Sequence, residues 1–360
     1  MRKTFTIWTI ALVLITTVAV GLFAAGTDLE ALMENGHWKR AKDLAEGSYR
    51  THPQDGRAAY MLSRVRSQFG ELDDALKYAQ MAVQSDPKNA SYHLQLAQAY
   101  GDLAEKASVL RQFGLARKCR SEIEAAMAID PRNPDNLDAQ MSYDLEAPGI
   151  LGGDKKKALA LAEEIGKINP SRGYLARVTI AVKENGNDAT IEQLYQKAVE
   201  ADPRNYGALV SMTSYYLQPQ RINLSLAEKY ANQALQVDPD RITAYCLLAQ
   251  TFVKQNRGKE VPALLHKAEA AIPDNLMPYV CAGRAMLQQG TDLDTAEVYL
   301  RKYLTQPPEP GWPTHAGVHW SIGLVYEKRG DKAKARSEME TALQLKPDFE
   351  PAKQALRRLK

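Results

Sequence analysis

The fold follows most directly from His319-Trp-Ser-Ile-Gly-Leu-Val-Tyr326 and the residues after it. Ile322 and Tyr326 are four residues apart, so in a helix they lie on the same face. Gly330 interrupts this helix, and a second helical pattern then runs towards Pro347, a residue that cannot continue a helix. The inner face of the second helix is formed by small or flexible apolar residues: Ala335, Met339 and Ala342. The segment therefore predicts a helical hairpin.

Prolines mark where this hairpin pattern recurs along the chain. From Pro53 to Pro273 they follow one another at intervals of 33 to 44 residues. The prolines in this frame are Pro53, Pro87, Pro131, Pro170, Pro203, Pro239, Pro273 and Pro347. The last interval, 74 residues, holds one further unit that ends at Pro307-Pro308. Because no strands alternate with the helices, a period of this length predicts an all-α array of stacked hairpins.

The repeated unit resembles the tetratricopeptide repeat. The shared features are an apolar-Gly-x-x-Tyr sequence in the first helix, a glycine at the turn, spaced alanines in the second helix and a terminal proline. Gly70, Ala75 and Pro87 show the same features in an earlier unit. The resemblance implies a right-handed superhelical α-solenoid of about nine hairpins. Residues 27–348 would form the repeat array, and residues 349–360 would form a C-terminal capping helix.

Two units are longer than the usual repeat of ~34 residues. One has about ten extra residues near Leu103 to Gln112, which indicate either longer helices or a contact with a partner. The other contains Ala147-Pro-Gly-Ile-Leu-Gly-Gly-Asp154. This glycine-rich segment follows no strand and lacks the spacing of a phosphate-binding loop. We therefore predict a structural turn in which Asp154 caps the next helix.

Residues 1–26 are a candidate signal peptide or signal anchor. Thr4 to Gly26 is a run of 23 residues without a charge, which is long enough to cross a bilayer core of ~30 Å. That length favours an uncleaved anchor, whereas the small residues Ala24-Ala-Gly26 favour cleavage and export of a soluble protein. Because Arg2 and Lys3 precede the run and acidic residues follow it, either form predicts repeats outside the cytoplasm, on the periplasmic side of the cell envelope.

Composition and motifs argue against several function classes. Lys and Arg number 46 against 43 Asp and Glu, a net charge of +3, so we expect no nucleic-acid partner. No HExxH or CxxC motif and no triad spacing occurs, so we expect no catalytic residues, no cofactor and no metal. His315 and His319 have metal-compatible spacing. No third ligand lies near them in the sequence, so we interpret both as residues of a helix start or a groove.

The three cysteines are too few for a disulfide framework. Cys246 and Cys281 occupy comparable places in consecutive units. Neighbouring helices pack about 8–10 Å apart, while a disulfide needs Cα atoms within about 7 Å. We therefore expect free thiols, and we assign Cys119 to a small-residue position of the core.

The resemblance implies that the first helix of each hairpin lines a concave groove that binds partner proteins or peptides. By register, the candidate groove residues are Arg57, Tyr60, Arg64, Leu94, Gln98, Val210, Ser214, Cys246, Gln250, Cys281, Trp320 and Leu324. The expected function is a non-enzymatic protein-interaction scaffold of the cell envelope, attached to the membrane through its N-terminal segment. Two alternatives remain open: a small-molecule-binding or enzymatic accessory protein that uses the groove, and a structural protein that self-associates.

Overall fold

A computed structural model describes residues 29–311 and 313–359 of the 360-residue chain. The helices of these ranges, in chain order, are α1 (29–35), α2 (Trp38–Thr51), α3 (Gly56–Gln68), α4 (Leu72–Ser85), α5 (Ala90–Lys106), α6 (Val109–Ile129), α7 (Pro134–Glu146), α8 (Lys155–Ile168), α9 (Pro170–Lys183), α10 (Asp188–Ala201), α11 (Tyr206–Leu217), α12 (Leu224–Val237), α13 (Ile242–Lys254), α14 (Val261–Ala271), α15 (Met277–Gln289), α16 (Leu293–Tyr303), α17 (His315–Lys328), α18 (Lys332–Leu345) and α19 (Glu350–Arg358). No strand occurs in the described ranges.

Helices α1 to α18 form nine consecutive hairpins, and α19 packs on the last of them. Within a hairpin the two helices pack on each other, and the second helix packs on the first helix of the next hairpin. The predicted all-α solenoid is therefore confirmed. The candidate signal or anchor segment, residues 1–26, lies outside the described residues. Within the described part of the chain, no helix combines the length and apolar character needed to cross a membrane.

An Asp-Pro turn connects successive hairpins at four places along the array. After α6, the Asp130 carboxylate accepts a hydrogen bond from the Arg132 backbone N–H at 3.3 Å. Three residues after Asp130, the Asn133 side chain caps α7 by accepting from the Asp135 N–H at 2.9 Å. The proline stands two residues beyond the helix end, where no helical hydrogen bond is required of it. Asp202 makes the same turn before α11.

Small residues let the helices of a hairpin approach closely. A Cβ atom on Gly323 would lie 2.7 Å from the Met339 side chain and 3.2 Å from the Ala335 carbonyl oxygen. Ala75 and Ala335 are fully buried at equivalent crossings. The apolar side chains between hairpins then form a succession of core clusters along the array, one of which runs from Leu209 to Leu359. This agrees with stabilisation by stacking.

In the first longer unit the structure shows longer helices, one of the two possibilities that the sequence left open, and in the second it shows the predicted turn. The extra residues near Leu103 to Gln112 extend α5 to 17 residues and α6 to 21. In the glycine-rich segment, residues 149–151 form one turn of 3-10 helix, and the Asp154 side chain accepts from the N–H groups of Lys156 and Lys157. Arg120 ties this turn to α6 by donating to the Leu151 carbonyl oxygen at 3.2 Å.

The first hairpin contacts loops near the other end of the sequence. His37, which is 1% exposed, places its Nε2 atom 3.1 Å from a carboxylate oxygen of Asp240. The backbone N–H of Lys39 donates to Glu309 at 3.0 Å. These loops precede α13 and α17, so the array curves until its first hairpin touches its seventh to ninth.

Candidate binding groove

All the predicted groove residues lie on first helices of hairpins, as the register required. They are distributed over α3 (Arg57, Tyr60, Arg64), α5 (Leu94, Gln98), α11 (Val210, Ser214), α13 (Cys246, Gln250), α15 (Cys281) and α17 (Trp320, Leu324). The structure brings four of them into two cavities: Arg64 with Gln98, and Trp320 with Leu324. Their binding role stays a prediction.

The cavity between α3 and α5 is lined mostly by polar residues. It has a volume of about 410 Å³ and is lined by Trp38 of the first hairpin together with Arg64, Gln95 and Gln98. Gln95 donates to Ser63 Oγ at 3.0 Å, and Gln98 donates to Asp102 at 2.6 Å. Side chains on its floor are thus already hydrogen-bonded to one another, and a ligand would have to compete with these bonds.

Aromatic stacking fixes the neighbouring part of α3. The rings of Tyr60 and Tyr92 are 5.2 Å apart, and the Arg64 guanidinium lies 5.6 Å from the Tyr60 ring. Burial raises the pKa of Tyr60, so its hydroxyl stays protonated. Arg57 is exposed and donates to Glu30 at 3.0 Å.

The cavity between α15 and α17 is larger and mostly apolar. Its volume is about 580 Å³, and Leu287, Trp320 and Leu324 form its apolar wall. Arg284 lies at its floor and donates to Ser321 Oγ and to the Gly317 carbonyl oxygen, both at 3.0 Å. Burial lowers the pKa of Arg284 to about 10, and the side chain remains a cation at neutral pH.

The residue that begins the C-terminal helix α19 packs against the tryptophan of this cavity. The rings of Trp320 and Phe349 meet edge to face with centroids 6.1 Å apart. The Trp320 indole N–H is buried and has no hydrogen-bond partner. A buried N–H without an acceptor costs stability, so the Trp320 side chain contributes to the cavity wall through its apolar ring.

Arg284 is a functional candidate that the sequence reasoning missed. Gly283 and Gly323 are equivalent, since each faces a backbone carbonyl of its partner helix: Ala296 for Gly283 and Ala335 for Gly323. Arg284 thus occupies the position of Leu324 in its own hairpin. Extending the register by one unit would have identified it.

The expectation of free thiols at Cys246 and Cys281 is wrong. The two cysteines form a disulfide that joins α13 to α15, with Cα atoms 5.4 Å apart. Ala249 and Gly283 are the residues at the close crossings of the two hairpins. Cys246 lies three residues before Ala249, whereas Cys281 lies two residues before Gly283. The cysteines are therefore not equivalent positions, and the general spacing between helices did not apply. Cys246 is also 2% exposed, which removes it from the groove surface.

The remaining predicted residues do not join either cavity. Val210 packs against the apolar core, Leu94 and Gln250 are half-buried, and Ser214 is exposed. Cys119 is a free, half-buried thiol, and burial raises its pKa to about 11. That value keeps the thiol protonated and unreactive at neutral pH.

The two histidines of α17 have structural partners. His315 Nε2 contacts the Gln306 carbonyl oxygen at 2.9 Å, and His319 Nδ1 contacts the Glu338 carboxylate at 2.7 Å. Glu338 has its pKa lowered by the His319 and Arg301 side chains, although its partial burial opposes this shift. In the described ranges, no three histidine, cysteine or carboxylate side chains are grouped as a metal site would require.

Comparison with known proteins finds matches to tetratricopeptide-repeat family models in two parts of the chain. Two tetratricopeptide-repeat family models match residues 32–100 and residues 316–349. Among solved structures, the chain is similar to yeast Tom70, with 14% identity, a TM-score of 0.48 and coverage of 94% of this chain and 88% of that one. It is also similar to a thermophilic tetratricopeptide-repeat protein of Thermus thermophilus, with 24% identity, a TM-score of 0.46 and coverage of 54% and 96%. A tetratricopeptide-repeat protein from Parabacteroides merdae has 15% identity, a TM-score of 0.43 and coverage of 84% and 98%. No curated protein sequence matches the chain.

Proposed function

Because this chain is a tetratricopeptide-repeat protein, we propose that it is a non-enzymatic scaffold of the cell envelope that binds a protein partner along its first helices. The observation that carries the proposal is the apolar cavity of about 580 Å³ between α15 and α17. It combines an apolar wall with a tryptophan and an arginine, the side chains that most often dominate protein interfaces.

The lining of this cavity indicates the chemistry of the partner segment. Trp320 and Leu324 favour a large apolar side chain, and the cationic Arg284 and Lys328 favour a carboxylate or backbone carbonyl beside it. The carboxylate of Glu327 also lines the cavity, but it is paired with Arg358 at 3.3 Å. We therefore propose a peptide segment that carries an apolar residue next to an acidic one. Small-molecule binding in the same cavity and self-association are the alternatives that the experiment below separates.

Two features support a location outside the cytoplasm. The uncharged run from Thr4 to Gly26, with basic residues before it and acidic residues after it, predicts export or anchoring with the repeats outside. The disulfide between Cys246 and Cys281 is a bond that persists in oxidising compartments.

Site-specific photocrosslinking tests the scaffold proposal. A photoreactive phenylalanine analogue at Leu324 should form a crosslink to a second protein in intact cells, and Trp320→Ala should abolish it. The matched control is the same analogue at Val298, which is 63% exposed on a second helix, α16. Crosslinks to the chain itself would favour self-association. Equal crosslinking from Val298, or none from Leu324, would contradict the proposed groove.

A reporter fusion tests the location. A reporter that functions only outside the cytoplasm, fused after Gly70, should be active, and the mass of the purified protein should distinguish an anchored chain from a cleaved one. An inactive reporter would remove the envelope assignment and leave the scaffold proposal standing.

A further inference from the structure

The third hairpin extends beyond its neighbours. Helices α5 and α6 have 17 and 21 residues, while the helices of the adjoining hairpins have 13 or 14. At ~1.5 Å per residue, the added turns of α6 project by about 10 Å. We call residues 103–113, where α5 ends and α6 begins, the tip.

The tip exposes apolar side chains to solvent. Leu110 is 90% exposed, Val109 is 66% exposed and Phe113 is 39% exposed. Single exposed apolar residues are ordinary, but three within about one helical turn form a contiguous patch. Such a patch at a protruding end indicates a contact with an apolar environment.

The charge around the tip is mainly positive: Glu105 is exposed near the end of α5, and every charged residue from Lys106 to Arg120 is basic. Between Lys106 and Arg120 the sequence has no Asp or Glu, whereas the whole chain is close to neutral. The basic residues of this segment are Lys106, Arg111, Arg117, Lys118 and Arg120. Arg120 pairs with Glu124, and Lys118 lies over the Tyr100 ring. Within the described residues, Lys106, Arg111 and Arg117 have no carboxylate partner.

Lys106 lies in the last turn of α5, where a cation is favourable, but Arg111 does not stabilise α6. The first turn of α6 has no acidic residue and contains Arg111. A helix N-terminus carries a partial positive charge, so a cation there is unfavourable and an anion is favourable. The positive charge of Arg111 therefore complements an external anion better than it serves the fold.

We propose that the tip docks on an anionic lipid membrane. Val109, Leu110 and Phe113 enter the headgroup region, and the Arg111 and Arg117 side chains face the lipid phosphates. A lipid surface fits better than a protein partner because a stable protein interface buries about 800 Å² on each side. Three side chains at a convex end offer less area than that, whereas shallow apolar insertion combined with positive charge is sufficient for a membrane surface.

A local fluorescence measurement tests the docking. Leu110→Cys in a Cys119→Ala background of the full chain carries an environment-sensitive fluorophore. In vesicles of 30% phosphatidylglycerol and 70% phosphatidylcholine, its emission should shift to the blue and be quenched by brominated acyl chains. Arg111→Gln with Arg117→Gln should reduce the shift at least fivefold because it removes the attraction to the lipid phosphates. Salt at 0.5 M should have the same effect because it screens that attraction. Because the readout is local, it does not depend on other membrane attachment of the chain.

The control and a label-free measurement keep the test decisive. The same fluorophore on Val298→Cys, a site with 63% exposure on α16, should keep a water-like emission. In the unlabelled chain, amide exchange in residues 103–113 should slow on anionic vesicles but not on pure phosphatidylcholine, and Leu110→Ser should abolish the slowing. A water-like emission from position 110, an equal shift at position 298, or a shift produced by added protein without lipid would overturn the proposal.

Discussion

Arg40 and Asp274 are 234 residues apart in the sequence and form a two-pronged ion pair. Arg40 Nε donates to one carboxylate oxygen of Asp274 at 2.8 Å, and Nη2 donates to the other. The adjacent Lys39 side chain donates to the backbone carbonyl oxygens of Asp274 and Pro307. The contact fastens the first hairpin to the loops before α15 and α17. The array therefore forms a single turn in which the first hairpin contacts the seventh to ninth hairpins.

We expect charge reversal at this contact to open the turn. Lys39→Glu with Arg40→Glu should increase the radius of gyration in solution scattering, because both new carboxylates face Asp274 and Glu309. The side chains of Arg40 and Asp274 are 37% and 31% exposed, and such pairs contribute about 0–1 kcal/mol. Melting should therefore change little while the shape changes.

Two further variants control this prediction. Lys167→Glu, which reverses an exposed pair with Glu164, should leave the radius unchanged. Arg40→Asp combined with Asp274→Arg exchanges the two charges of the pair and should keep the radius of gyration of the wild type. An unchanged radius in the double charge reversal would show that apolar packing, rather than these charges, holds the first hairpin.

The closing contact should be sensitive to pH through Glu309. Burial raises the pKa of Glu309, although Lys39 and His37 partly offset this and Asp274 reinforces it. One of its carboxylate oxygens is buried without a hydrogen-bond partner. A raised pKa means that the folded state binds this proton more tightly than the unfolded state, so this group costs stability as pH rises through its folded pKa.

Glu309→Gln should therefore raise the melting temperature at pH 7. The gain should vanish at a pH below the ordinary range of a glutamate, where both states are protonated. Glu340→Gln, at an exposed position of α18, serves as the control and should leave the melting temperature at pH 7 unchanged. Equal gains at both pH values would exclude the titration of Glu309 as the cause.

Close backbone approach makes one glycine indispensable. A Cβ atom on Gly173 would lie 2.2 Å from the Cα of Gly166 on the preceding helix. The obstructing atoms are backbone and cannot rotate away, so Gly173→Ala should cost about 1–3 kcal/mol by overpacking. Gly47, on α2, has open space where a Cβ atom would lie, and Gly47→Ala should stabilise by about 0.5–1 kcal/mol. Urea unfolding measures both, and equal effects would contradict the close crossing of α8 and α9.

The fold was predictable because its signals are local and repeated. The helix pairs, the Asp-Pro turns and the small residues at crossings each recur, so many weak matches support one period. The Ala147–Asp154 turn was predictable for the same reason, since Asp154 caps the helix directly after it. The closing contact was not predictable, because Arg40 and Asp274 belong to no motif and meet only through the accumulated curvature of all the hairpins between them.

The candidate site was predictable in part. The register placed Trp320 and Leu324 on a first helix, and the structure puts both on one cavity wall. Arg284 was not predicted because the register of its hairpin was aligned on Cys281 rather than on Gly283, the glycine at the close crossing. The same one-residue shift led to the wrong expectation of a free thiol at Cys281. Two cysteines at different register positions on neighbouring helices can lie closer together than the general spacing between helices indicates.

The disulfide leads to the final prediction. It closes a segment with a sequence separation of 35 residues, and the chain-entropy relation then gives a stabilisation of about 3–4 kcal/mol. Cys246→Ala with Cys281→Ala should lower the free energy of unfolding by up to that amount in urea titrations. Reductant should have a comparable effect on the wild type and none on the double variant.

Thiol titration provides the independent check. The denatured, unreduced protein should show one reactive thiol, Cys119, and three after reduction. Cys119→Ala, which leaves the α13–α15 pair intact, should abolish the single thiol and keep the sensitivity of unfolding to reductant. Three free thiols in protein isolated under oxidising conditions, with unfolding indifferent to reductant, would remove both the disulfide and the support that it lends to a location outside the cytoplasm.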